Sequence, residues 1–156
     1  MARIVEPIRF KRLTESARIP VRSTPGAAAY DLFADGHARL NAWHGNAVVG
    51  TGIAVQLPPG HVGMVCSRSG LAAKNQTFVL NAPGLIDEDY RGELKVILAR
   101  LTDNVVWPDL DADIVIEPGM RIAQLMVMPV IHFEWAEVET FDETERGAGG
   151  LGSTGV

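Results

Sequence analysis

The chain has 156 residues, 47% of them apolar and 21% charged, and carries a net charge of −5. That length suits one compact domain burying roughly two-thirds of its unfolded surface, and the apolar content excludes a disordered chain. No apolar run approaches the roughly eighteen residues of a membrane-spanning helix, and the acidic balance argues against general affinity for nucleic acid, so neither surface is an expected partner.

The first thirteen residues, Met1 to Leu13, mix charge with apolar side chains and are not expected to be a secretory signal. Within them Ile8 and Phe10 alternate with Arg9 and Lys11. The same period-two spacing recurs at Val49, Ile53, Val55 and Leu57, then at Leu94, Val96 and Leu98, and again at Ile131, Phe133 and Trp135. Each run is short and is ended by turn chemistry: Pro58-Pro59-Gly60, Pro83-Gly84, Asp103-Asn104, Pro118-Gly119. Short alternating strands between such turns predict an all-β sandwich or barrel. One helical turn is predicted, over Ser69 to Lys74, with Ser69 as its N-cap. Residues 1–145 are expected to form the β domain and residues 146–156 a flexible glycine-rich arm with nothing to place in a core. The single cysteine, Cys66, allows no internal disulfide, which points to a reducing, cytoplasmic setting.

Four segments and the arm carry chemistry. Gly147 to Gly152 matches the spacing of a dinucleotide fingerprint but lacks the strand-to-helix context that gives the fingerprint meaning. Its content is more informative: Arg146 leads, five glycines follow, and Ser153 and Thr154 close it. Converging backbone N–H groups, hydroxyls and a guanidinium fork suit a polyphosphate. Ser67-Arg68-Ser69-Gly70 opens the predicted helix, where unpaired N–H groups attract anions. Asp87 follows the apolar pair Leu85-Ile86 and precedes Tyr90, so its carboxylate is a candidate base for a water molecule. Asn81 and the Pro83-Gly84 turn suggest a hairpin whose backbone edge reads a base. Arg121 and Gln124 are on opposite parities, so at most one faces a given wall, and Asp31 sits in a turn beside Leu32. The four histidines and Cys66 show no zinc-ligand spacing.

Taken in order, these segments resemble the five motifs of the trimeric deoxyuridine triphosphatase (dUTPase) family. Pro25 to Leu32 resembles the first, Ser67 to Ala72 the second, Gly84 to Glu93 the third, Gly119 to Leu125 the fourth, and Arg146 to Gly155 the fifth. The resemblance implies a β jelly-roll homotrimer that hydrolyses dUTP to dUMP and pyrophosphate with Mg²⁺, each site drawing on several chains and the arm closing over a neighbour. By the same resemblance Asp87 activates the attacking water, Tyr90 lies under the deoxyribose and excludes a 2′-hydroxyl, and Asn81 and Gly84 belong to the uracil-reading hairpin. Arg68, Ser69, Gly70 and Gln124 correspond to phosphate contacts, Arg146, Ser153 and Thr154 to the γ-phosphate lid, and Asp31 to the acid near the metal's water shell. A hard cation held through triphosphate and water needs few direct protein ligands.

Two departures stand out. Leu151 occupies the position where the family usually carries an aromatic over uracil, so it covers the base by dispersion without stacking geometry. The stretch Asn104 to Ile114 is longer than the usual turn before the fourth motif, and an extended hairpin loop is expected there. The nearest alternative is a dCTP deaminase-like enzyme, which shares the fold and nucleotide class. That family's second motif reads Ser-Arg-Ser-Ser, where this chain has Gly70, and its catalytic Glu lies five residues beyond the glycine, which here reaches Ile97. A non-catalytic jelly-roll module for binding or assembly is the other alternative.

Overall fold

A computed structural model describes residues 7–41, 45–101 and 113–149. Among these residues, ten strands and one short helix follow in the order β1 (Arg9–Arg12), β2 (Tyr30–Phe33), β3 (Ala38–Leu40), β4 (Asn46–Gln56), β5 (His61–Cys66), α1 (Ser69–Asn75), β6 (Thr77–Val79), β7 (Gly84–Ile86), β8 (Glu93–Arg100), β9 (Ile114–Ile116) and β10 (Arg121–Pro129). They form two four-stranded sheets, ordered β1-β4-β8-β6 and β2-β10-β5-β7, and a two-stranded ribbon β3-β9. Every pairing is antiparallel. Neighbours in each sheet are mostly distant in sequence, which is the crossover pattern of a jelly roll.

The alternation read from the sequence explains the core. In β8, Leu94, Val96 and Leu98 are buried, while Glu93, Lys95 and Ile97 face outward. Leu32 of β2, Val65 of β5 and Ile122 and Leu125 of β10 meet them from the other sheet. The edge strand β1 is exposed at all four positions, and its Arg9, Lys11 and Arg12 blunt an edge that would otherwise pair with another chain.

In β4 the simple alternation fails. The β4–β8 register shifts between Gly50 and Ala54, and Thr51 through Val55 are all buried. Gly52 sits at the shift with φ +64°, a left-handed conformation that favours glycine. The displaced backbone finds other partners: Gly52 N–H donates to Glu93 Oε1 at 2.9 Å and Thr51 Oγ1 donates to the Leu94 carbonyl at 2.8 Å. A Cβ on Gly52 would stand 2.6 Å from Asp35 Oδ2 and 2.7 Å from Ala17 Cβ.

Helix α1 is capped one residue earlier than expected. Arg68 is the N-cap, in extended conformation and with no side-chain cap bond, and Ser69 is the first helical residue. The hydroxyl that fixes the approach is that of Ser67, which accepts from Val79 N–H at 2.9 Å. The alternation at Ile131, Phe133 and Trp135 also has a different outcome. Beyond β10 the described residues form no further strand, and these side chains are 75%, 83% and 103% exposed. The strand-like pattern is present, but among the described residues it has no neighbouring strand to pair with.

Gly52→Ala is expected to destabilise the protein by at least about 1–2 kcal/mol, the usual cost of a left-handed non-glycine residue. Gly26→Ala, where a Cβ would meet nothing within 4 Å, should leave stability unchanged. Thermal melts of both variants at one protein concentration check this, and equal melting temperatures would contradict it.

Candidate functional site

The candidate residues fall into two clefts. The first, of about 390 Å³, is lined by Asp31 of β2, Cys66 of β5, Gln124 of β10 and the turn Arg68-Ser69-Gly70 that opens α1. The β5–β10 register places Gln124 directly opposite Cys66, so both face the same side of their sheet. Asp31 lies opposite Gln124 on the other flank.

Asp31 organises this cleft. Its Oδ1 accepts from Arg68 Nε at 3.0 Å, and its Oδ2 accepts from Ser23 Oγ at 2.9 Å and lies 3.4 Å from Arg121 Nη1. Its side chain is only 10% exposed. Arg68 is held a second time, donating from Nη1 to the Arg121 carbonyl at 3.1 Å. Two guanidinium groups around one carboxylate leave a net positive charge at the wall, which suits a polyanion. Gln124 donates from Nε2 to the Ser67 carbonyl at 2.9 Å, and an amide nitrogen has a second N–H to offer.

The second cleft, of about 230 Å³, lies along β7 and the outward face of β8 and is lined by Asn81, Gly84, Asp87, Tyr90 and Ile97 among others. Asp87 is exposed, and its carboxylate has no hydrogen-bond partner among the described residues. Its carbonyl accepts from Tyr90 N–H at 3.1 Å, which closes the turn that carries both side chains. The Tyr90 hydroxyl donates to the Glu93 carbonyl at 3.0 Å. Gly92 is needed beneath it, since a Cβ there would stand 2.6 Å from Tyr90 Cζ. Likewise a Cβ on Gly84 would crowd the Asn81 amide at 3.0 Å.

The two clefts share no lining residue. Val65 lines one and Cys66 the other, and successive residues of a strand face opposite sides of the sheet. Arg146 lines neither cleft; its Nε donates to the Gly149 carbonyl at 2.8 Å in a local turn. Leu151, Ser153 and Thr154, and the stretch from Asn104 to Ala112, lie outside the described residues. Sequence reasoning missed Ser23 and the side chain of Arg121 as partners of Asp31. The signal was available only as a pairing of distant strands, because Arg121 and Phe33 are register neighbours in β10 and β2. It also missed Glu88, whose carboxylate turns away from solvent to accept from Gly60 N–H. Among the described residues no group of three or more His, Cys, Asp or Glu is placed to hold a metal ion.

An antiparallel jelly roll with a cationic cleft and a separate carboxylate-bearing cleft defines a β-fold protein built for an anionic ligand. The dUTPase family model matches residues 15–155. The chain is 46% identical to the deoxyuridine 5′-triphosphate nucleotidohydrolase of Corynebacterium diphtheriae, over 96% of this chain and 93% of that one. It is 42% identical to the enzyme of the same name from Hydrogenobaculum, over 94% and 96%. Among solved structures, the dUTPase of Staphylococcus bacteriophage 80alpha with dUpNHpp superposes with a TM-score of 0.85 at 31% identity, covering 97% of this chain and 100% of that one. A variant dUTPase from phage phi11 of S. aureus, which reveals the coordination of a structural Mg(II) ion, superposes with a TM-score of 0.77 at 28% identity, covering 88% of this chain and all of that one. The chain belongs to the dUTPase family.

Asp31→Asn removes the charge that two arginines share. The expected loss is on the order of 1.5–3 kcal/mol of stability, the usual worth of hydrogen bonds to a charged group. Denaturant unfolding checks it; a midpoint identical to the parent would show that the cluster carries no net energy.

Proposed function

We propose that this protein hydrolyses dUTP to dUMP and pyrophosphate. The observation that carries the reading is the second cleft, where the unpartnered carboxylate of Asp87 stands beside Tyr90 and Asn81 in a chain of the dUTPase family. Asp87 takes a proton from a water molecule as that water attacks the phosphate chain and the α–β anhydride breaks. Its exposure to the cleft gives the water access, and the turn bond to Tyr90 N–H fixes its position relative to the sugar. Tyr90, tied at its hydroxyl and packed over Gly92, presents a ring against the deoxyribose that leaves no room for a 2′-hydroxyl. Asn81 and the backbone at Gly84 meet the uracil edge.

Arg68, Ser69, Gly70 and Gln124 bind the phosphates. Because Arg68 already uses Nε and Nη1 on Asp31 and the Arg121 carbonyl, its remaining Nη2 is the edge presented to phosphate oxygens. Asp31, whose oxygens accept from Ser23 and Arg68 and pair with the charge of Arg121, is not disposed to ligate a metal directly. This donor set fits Mg²⁺ arriving with the triphosphate and its own waters, with Asp31 as an acceptor for one of those waters. When bound, the ion neutralises charge on the phosphates.

Two half-sites on opposite sides of β5 cannot close on one nucleotide within a chain, so the proposed working form is a homotrimer that joins the first cleft of one copy to the second cleft of another. The exposed Ile131, Phe133, Trp135 and Phe141 supply apolar surface for that assembly. Residues 146–156 form a lid on a neighbouring site, with Arg146, Ser153 and Thr154 on the γ-phosphate and Leu151 over uracil. The single cysteine supports a cytoplasmic setting, and no helix among the described residues is long and apolar enough to cross a membrane. A deaminase reading is disfavoured by Ile97, whose apolar side chain lines the cleft where a proton shuttle would be needed.

Asp87→Asn is expected to lower kcat for dUTP by about 10²–10⁴-fold, the usual contribution of a positioned base, with affinity for dUpNHpp nearly unchanged. A variant retaining more than a tenth of the parent kcat would overturn the base assignment. Deleting residues 146–156 should abolish most pyrophosphate release without lowering the melting temperature, since none of the described residues of that segment is buried. Full activity of the truncated chain would remove the lid from the mechanism.

A further inference from the structure

Of the three consecutive acids Asp87, Glu88 and Asp89, the outer two are exposed and only Glu88 is half-buried. Its carboxylate accepts from the backbone N–H of Gly60, in the turn between β4 and β5. This is the one side-chain hydrogen bond among the described residues that ties the segment Asp87 to Arg91 to a distant part of the chain. The other ties are local: Tyr90 N–H to the Asp87 carbonyl, Arg91 Nη1 to the carbonyls of Glu88 and Tyr90, and the Tyr90 hydroxyl to Glu93.

The turn it grips is itself fixed. Pro58 and Pro59 restrict the backbone before it, His61 Nδ1 lies 3.0 Å from the Pro59 carbonyl, and the Gly60 carbonyl accepts from Val130 N–H at 2.8 Å. Gly60 adopts φ +70°, the left-handed conformation that glycine accepts without strain.

We propose that Glu88 is a positioning residue for the reaction: its carboxylate moors the loop bearing Asp87 to the Gly60 turn and so fixes where the attacking water is held. The inference rests on the reading of Asp87 as the base. Among the described residues the Asp87 side chain has no partner, so its placement depends on the backbone on either side of it. On the C-terminal side that backbone is Glu88. Tyr90 is secured separately, by its hydroxyl and by Gly92, so releasing Glu88 disturbs the base more than the sugar platform. A displacement near 1 Å in a reacting group costs up to about 10²-fold in rate.

The test uses the full chain and three variants, Glu88→Ala, Glu88→Gln and Asp87→Asn, measuring kcat and KM for dUTP, the Kd of dUpNHpp, and the melting temperature. Glu88→Ala is expected to lower kcat roughly 10- to 100-fold, with the dUpNHpp Kd within about 3-fold of the parent and the melting temperature unchanged. Glu88→Gln keeps an oxygen that accepts from Gly60 N–H and should return kcat to within about 3-fold of the parent. The proposal is overturned if Glu88→Ala turns over at the parent rate, if Kd rises in step with the loss of kcat, or if Gln is as poor as Ala. Asp87→Asn separates the two levels: its collapse beside a fully active Glu88→Ala removes only the mooring role, whereas an active Asp87→Asn removes the base and the mooring role together.

Discussion

The period of two in strand β5 is the constraint on which the site depends. Val65 points into the core and pairs in register with Leu125, while Cys66 points outward opposite Gln124. The same pairing that buries the sheet therefore sets Gln124 beside Asp31 and the turn into α1. It also puts the Asp87 cleft on the other side of the strand. A one-residue slip would exchange the faces, exposing Val65 and Leu125 and burying the lining of the first cleft. Core energetics and site geometry are one constraint here, because the register cannot change for either without being lost for both.

Within the first cleft, electrostatics follow from that register. Asp31 and Gln124 are opposite one another, and Arg121, three residues earlier on β10, reaches the same carboxylate. Arg68 arrives from the other flank, at the end of β5, and is bound both to Asp31 and to the Arg121 carbonyl. The carboxylate thus orients both arginines. That arrangement keeps the cleft positive, and it holds Arg68 in one geometry, which lowers the ordering cost of binding an anion.

Much of this was legible in the sequence. Turn residues and alternation gave the all-β class, and Asp87, Tyr90, Asn81 and Gly84 do line one cleft while Arg68, Ser69, Gly70, Gln124 and Asp31 line another. What periodicity could not show was the register shift in β4, because Gly52 reads as an ordinary small residue until its positive φ and its contact with Glu93 are seen. Ser69 was read as the cap because a hydroxyl preceding a helical run is the usual signal; the cap is Arg68, whose side chain is committed to Asp31 instead. At Ile131 to Trp135 local pattern and tertiary structure diverge for a plain reason. Alternation specifies a strand's faces but not the existence of a neighbour, and among the described residues there is none.

The exposed segment after β10 and the loop bearing Asp87 are joined at one residue. Gly60 donates its N–H to Glu88 and accepts the N–H of Val130, the first residue beyond β10. The path toward Arg146 therefore leaves the β domain from the turn that steadies the proposed base. A shift of the Val130 backbone changes what the Gly60 carbonyl is bound to, and the adjacent N–H is the donor on which Glu88 depends. Gly60 meets both bonds at φ +70°, a conformation open to glycine and strained for other residues, and Pro58 and Pro59 restrict the backbone that leads into it. The tie between segment and loop is thus a short hydrogen-bonded path through Val130, Gly60 and Glu88, made outside the core.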